Sequence, residues 1–119
     1  MSTILKTQVL SGKIAAAMVN GLQSNNIGAT IKHFVANNAE TNRFFNNTVA
    51  DPRTLREIYL RGFQIAVEEA QPWAIMSSYN LVNGTYANQR KDLMTDILRE
   101  NGALKAWRCQ TGLQVMYLD

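Results

Sequence analysis

From Ser11 to Gln23 the apolar residues fall at Ile14, Ala15, Met18, Val19 and Leu22. That spacing follows one face of a 3.6-residue turn and predicts a helix. Ser24-Asn25-Asn26 breaks the pattern, and Gly28 follows. Ala29 to Ala36 is short and rich in strand-forming residues, which predicts a β-strand. Asn37 to Ala50 is polar, rich in asparagine and without a clear period, and reads as a long loop. At Asp51-Pro52 a helix should start, since Asp51 can cap free amides and Pro52 suits the first helical position. Leu55, Tyr59, Phe63 and Ala66, with Ile58 and Ile65 beside them, give that helix a broad apolar face. Pro72 sets its end near Gln71. Trp73 to Asn80 is a second short apolar run and a second predicted strand, followed by a turn at Val82-Asn83-Gly84-Thr85. A third helix is predicted from Arg90 to Asn101, with Leu93, Met94, Ile97 and Leu98 inward and Gly102 as its stop.

The order is helix, strand, helix, strand, helix. Two short strands joined by a helix form a βαβ unit, so the expected class is α/β with parallel strands and a right-handed crossover. Two parallel strands alone leave both sheet edges open. Leu113-Gln-Val-Met-Tyr-Leu118 is a candidate to close one of them.

At 119 residues the chain is one small domain, and 46% hydrophobic with 18% charged residues is a globular composition. The net charge of +3 is scattered, which gives no footprint for a nucleic-acid partner. One cysteine, Cys109, excludes an internal disulfide and a cysteine-based zinc site. One histidine, His33, excludes a multi-histidine metal site within one chain. The sequence has no G-x-S-x-G, no P-loop and no dinucleotide fingerprint, and no metal or cofactor is expected. Ile14 to Val19 is too short to span a bilayer, and Met1 to Lys6 lacks the apolar core of a signal peptide. The expectation is a cytoplasmic chain with no membrane partner.

In α/β sheets the working residues gather at the carboxyl ends of strands. Three groups fall there: Lys32-His33, the loop from Asn37 to Arg43, and Ser77-Ser78-Tyr79-Asn80. Their side chains can hydrogen-bond a polar ligand such as a sugar. The plainer alternative for His33 is a satisfied core histidine, and for Tyr79 a core aromatic. Lys32 is harder to explain as packing: strand neighbours point to opposite faces, and an inward lysine needs a partner. Among the acids, Asp51 is accounted for as a cap, and only Glu40 lies in a strand-end loop.

Three segments carry a family resemblance: A-T-I-K-H-F-V-A-N-N-A-E-T-N-R from Ala29 to Arg43, D-P-R-T-L-R-E-I-Y from Asp51 to Tyr59, and A-I-M-S-S-Y-N-L-V-N-G from Ala74 to Gly84. In this order and spacing they closely resemble glycoside hydrolase family 3, the β-glucosidases, over about Val9 to Asn101. The resemblance implies a slice of a TIM-like barrel. It also implies a retaining β-glucosidase lineage that uses an Asp nucleophile and an acid from elsewhere in the chain. By motif, Lys32 and His33 resemble the pair that grips sugar hydroxyls. Met76 and Tyr79 resemble residues lining the same subsite, with Arg43 a further candidate.

The family's next motif is of the type W-G-F-x-G-x-V-M-S-D-W, whose Asp is the nucleophile. Here the chain reads Gly102-Ala-Leu-Lys-Ala-Trp-Arg-Cys-Gln-Thr-Gly112, and no acid occurs between Glu100 and Asp119. If each codon's third base is read with the next codon's first two, the codons from Asn101 to Gly112 permit W-G-F-K-G-L-A-M-S-D-W. Met1 to Gln8 in the same shifted frame permits E-Y-Y-S-E-D-P, which in the family runs into V-L-S-G. The expected organisation is therefore a single partial domain over 1–119. Its resembling part is 9–101, and 1–8 and 102–119 are frame-shifted ends.

The expected function is a β-glucosidase-like fragment with part of a glucose subsite, weak for glucose or a β-glucoside and inactive alone. One alternative is a small active or oligomer-assembled β-glucoside hydrolase that uses another carboxylate such as Glu40, and another is a non-catalytic structural oligomer. Helix faces at Leu55, Tyr59, Phe63 and at Leu93, Ile97 would lose neighbours outside a closed barrel, so a homodimer or higher oligomer is expected.

Overall fold

The computed structural model describes residues 3–101 and 107–110. Helix α1, Thr3–Ser24, is followed by strand β1, Thr30–Phe34, and the short strand β2, Asn47–Thr48. A helical run from 52 to 70, α2, starts at Pro52–Thr54, widens to π-type turns over Leu55–Leu60 and returns to α geometry over Arg61–Ala70. Strands β3, Ala74–Ser77, β4, Leu81–Val82, and β5, Thr85–Tyr86, come next. After them stand helix α3, Asp92–Asn101, wound with π-type turns, and strand β6, Trp107–Gln110.

β1, β3 and β6 form one parallel sheet in that order, with Ile31 beside Ile75, Lys32 beside Met76 and Ser77 beside Gln110. The βαβ unit is thus present. β3 is its interior strand, because Trp107–Gln110 covers the edge that two strands alone would leave open. The proposed strand at Leu113 to Leu118 lies outside the described residues. Asn37 to Ala50 is not all loop: β2 pairs in parallel with β4, and β4 and β5 form a hairpin. Asn83 at φ 49° and Gly84 at φ 86° supply the left-handed turn that such a hairpin needs.

Helix α1 begins at Thr3, eight residues before the predicted start at Ser11, and it is rotated relative to the expected face. Ala16 and Val19 are buried, whereas Leu10, Ile14, Met18 and Leu22 are between 44% and 64% exposed. The reason is close packing on α2. A Cβ at Gly12 would lie 2.9 Å from the Cβ of Ile65 and 3.1 Å from the carbonyl oxygen of Gly62. Small residues let the two helices approach, so the large apolar side chains are turned away from the contact.

The core sits between the sheet, α2 and α3. Ile75 and Leu93 are fully buried, Leu55, Met94 and Leu98 nearly so, and Tyr59, Phe63 and Ile97 pack partly buried against them. Phe63 meets Phe34 edge-on, with ring centroids 5.1 Å apart. The faces expected to lie bare at Leu55 and Leu93 are therefore covered. A row of exposed apolar side chains runs along α1 instead, and Phe45 and Val49 stand bare between β1 and α2.

α2 ends as Pro72 requires. Gln71 adopts φ 45° and its amide donates to the Val67 carbonyl at 3.1 Å. Its start is capped by Asp51, which accepts from the amides of Arg53 and Thr54, both at 3.0 Å, and from the Thr54 hydroxyl at 2.6 Å. The Thr54 hydroxyl and these amides hold the Asp51 carboxyl below its ordinary value of 3.8. Asp51→Ala should lower the melting temperature by a few degrees at neutral pH. A carboxyl with a lowered native pKa stabilises the fold above its unfolded value and loses that effect as pH falls through the native one. The difference between wild type and variant should therefore be full above pH 3.8 and fade below it, as thermal melts across pH will show.

Candidate functional site

Alternation along the sheet sets which side chains reach the open face. Ile31 and Ile75, register partners, turn toward the helices. Lys32 and Met76, also register partners and next in line, stand on the opposite face. Lys32 is exposed there, so its ammonium is not a buried charge in need of a partner. The register shifts between Lys32 and Phe34, which leaves half-buried His33 at the irregular position. The Lys32–His33 and Phe34–Val35 peptide bonds are cis.

Beyond the strands, buried polar groups tie the two strand ends together. The Ser78 amide donates to the Phe34 carbonyl at 2.7 Å, and the Ser78 hydroxyl to the Val35 carbonyl at 2.9 Å. Fully buried Asn80 donates from Nδ2 to the carbonyls of Ala36, at 3.0 Å, and Leu81, at 3.1 Å. The Thr48 hydroxyl also donates to the Ala36 carbonyl, at 2.8 Å. Ala36 sits at φ 61°, a conformation that costs free energy in a residue with a Cβ and is held by these contacts. Ser78 and Asn80, grouped in the sequence with ligand-facing residues, are thus braces that fix where the following loop leaves β1.

That loop returns over the end of β3. The Arg43 guanidinium lies 5.0 Å from the centre of the Tyr79 ring and 5.4 Å from that of Phe44. The Phe44 and Tyr79 rings are 4.7 Å apart at 51°. Arg43 donates from Nη1 to Glu40 Oε2 at 3.0 Å, and Asn37 from Nδ2 to Glu40 Oε1 at 2.8 Å. Asn38 donates to the Tyr59 hydroxyl at 2.7 Å, which anchors the loop to α2. The Asn37 amide, then Arg43, and more weakly the charge of His33 hold the Glu40 carboxyl below its ordinary range.

Two pairs of candidates are therefore juxtaposed: Lys32 with Met76 by strand register, and Arg43 with Tyr79 by ring contact. His33 lies within electrostatic reach of Glu40. Glu40, 68% exposed and ion-paired with Arg43, is arranged as an anion that orients a guanidinium. Among the described residues no other carboxylate joins this hydrogen-bonded cluster. Two contributors escaped the sequence reading, Phe44 and Thr48. Phe44 had one signal, an aromatic residue directly after a candidate arginine in a polar loop. Thr48 had none, since a hydroxyl brace across twelve residues has no local pattern.

Taken together, a sheet end that offers lysine, arginine, histidine, tyrosine and methionine suits a polyhydroxylated ligand. Residues 6–105 match the sequence profile of the glycosyl hydrolase family 3 N-terminal domain. The chain belongs to glycosyl hydrolase family 3. β-Glucosidase B of Emericella nidulans is 51% identical over 90 residues, which is 76% of this chain and 11% of the relative. An exo-α-(1→6)-L-arabinopyranosidase of Bifidobacterium longum is 47% identical over 91 residues, 76% of this chain and 12% of that enzyme. The solved β-glucosidase 3B of Thermotoga neapolitana, in complex with glucose, superposes with a TM-score of 0.85 and 50% identity. That match covers 87% of this chain and 14% of the solved one. The fold is thus a piece of the family 3 barrel, parallel strands with flanking helices. The chain spans about a tenth to an eighth of the length of the curated relatives it matches. Among the described residues, no helix is long and apolar enough to cross a membrane.

Proposed function

We propose that this chain is a non-catalytic family 3 segment that keeps part of a glucose subsite, formed by Lys32, His33, Arg43, Met76 and Tyr79. The observation that carries the reading is the contact of Arg43 with the Tyr79 ring just past the carboxyl end of β3, the strand whose Met76 is in register with Lys32. Support comes from the 50% identity to a β-glucosidase solved with glucose. A relative that is an arabinopyranosidase widens the class of sugar to be tested from glucose to pyranosides. An open half-subsite stays wet, and glucose should bind with a millimolar or weaker dissociation constant, about 4 kcal/mol or less. Lys32→Ala should weaken it further, as chemical-shift titration will read. Micromolar binding that survives Lys32→Ala would contradict the assignment.

The second part of the proposal is that the nucleophile is missing because the frame has shifted. β6 occupies the parallel position next to β3, and its Gln110 is register-paired with Ser77, two residues before Tyr79. Read one base out, the codons of Gln110 and Thr111 permit Asp. Sequencing the encoding DNA should find codons that spell the shifted motif. Codons incompatible with it would remove this explanation.

The exposed stripe of Leu10, Ile14, Met18 and Leu22, one residue per turn along α1, also bears on assembly. Such a row is complementary to its own copy across a two-fold axis, and a second copy of this chain is the proposed occupant. Sedimentation equilibrium at micromolar concentration should show a dimer or higher oligomer that Ile14→Glu with Met18→Glu converts to a folded monomer. A wild-type monomer at those concentrations would refute it.

A further inference from the structure

We infer that Phe44 is a positioning residue for the sugar subsite, setting the Arg43 guanidinium against the Tyr79 ring; this rests on the glucose-subsite reading above. Arginine is long and loses much rotamer freedom when it is held in one place. On one side Glu40 accepts a single hydrogen bond from Nη1, a contact that fixes one nitrogen but leaves the guanidinium plane free to turn. The two rings supply the rest. Phe44 and Tyr79 lie 4.7 Å apart, and the guanidinium carbon is 5.4 Å and 5.0 Å from their centres, so the three groups pack as one unit. Cations over ring faces are held by the ring quadrupole, which orients the guanidinium while leaving most of its five N–H donors unused.

The backbone around Phe44 is built to place it. A turn runs through the loop, with the Arg43 amide donating to Glu40 at 3.3 Å and the Phe45 and Asn46 amides to Asn42 at 2.8 Å and 3.0 Å. Phe44 is absent from both buried apolar clusters and remains 49% exposed. Core packing therefore does not account for its large ring at this point. The contacts with Arg43 and Tyr79 do, and both partners are the residues proposed to meet the sugar. Phe45, adjacent in sequence and 79% exposed, serves as an internal control.

The test uses the full chain with Phe44→Ala, Phe44→Tyr and Phe45→Ala, and two readouts. The first is the ring-current shift of the Arg43 side-chain resonances without sugar. The second is the glucose dissociation constant from chemical-shift titration. Phe44→Ala should move the Arg43 resonances toward their random-coil positions and weaken glucose about three- to fivefold. Phe44→Tyr, which keeps a ring, should preserve both, and Phe45→Ala should change neither. Unchanged Arg43 resonances in Phe44→Ala, or a Phe44→Tyr variant as impaired as Phe44→Ala, would overturn the role of Phe44. Failure of the wild type to bind glucose at all would instead overturn the subsite reading on which it rests.

Discussion

The purified chain is expected to hydrolyse a chromogenic β-glucoside at no more than trace rates, several orders of magnitude below an intact family 3 enzyme. Retaining hydrolysis needs two carboxyl groups about 5 Å apart, one as nucleophile and one as acid. The sequence has no acid between Glu100 and Asp119, the stretch from which the proposed reading has the nucleophile motif lost. Among the described residues Glu40 is the one carboxylate in the strand-end cluster, and it is occupied by Arg43 and Asn37. Those contacts lower its pKa, which disfavours the protonated form that a general acid needs near neutrality. Loss of a nucleophile removes most of the rate enhancement even where binding survives. Robust turnover that persists through purification and falls with Glu40→Gln would show that Glu40 has been recruited, and would reverse this conclusion.

Replacing Ile75 by alanine is expected to cost about 2–5 kcal/mol of folding stability, the usual range for emptying a buried aliphatic site. Ile75 is fully buried and lies on the middle strand, between Ile31 of β1 and Arg108 of β6 in register. It belongs to the cluster that also holds Phe34, Leu93 and Leu98, so no neighbouring surface group can move in to fill the space cheaply. Domains of this kind have only about 5–15 kcal/mol in total, and the variant should sit near the edge of folding. Urea unfolding will measure the loss. A change below about 1 kcal/mol would mean that the sheet and helices pack more loosely around Ile75 than its burial indicates.

How far the sequence carried the fold depended on which constraint was local. Asp51-Pro52 and Pro72 act on adjacent backbone, and α2 starts and stops where they require. The orientation of α1 was not local. Its strongest apolar row, Leu10, Ile14, Met18 and Leu22, faces outward because Gly12 and Ala16 permit a closer approach to α2. A periodicity argument weighs hydrophobicity and has no term for that approach. β2 is two residues long and exists only through its pairing with β4, thirty-four residues away, so no window of sequence could show it.

The site divides in the same way. Lys32, His33, Met76 and Tyr79 are candidates through resemblance to a family motif, and strand register puts Lys32 and Met76 side by side. Arg43 reached Tyr79 across a loop whose path depends on Asn80, Thr48 and the left-handed Ala36. Asn80 and Thr48 look in the sequence like solvent-facing polar residues, because a buried brace between distant segments has no local pattern.

In the proposed subsite the sugar lies against Met76 and Tyr79. Methyl-labelled methionine offers a direct reading, because Met18 on α1, Met94 in the core and Met76 on β3 report on three separate places. Titrating the full chain with glucose to a few hundred millimolar should shift the Met76 methyl resonance while those of Met18 and Met94 stay still. A silent Met76, or a response confined to Met18 or Met94, would contradict the account.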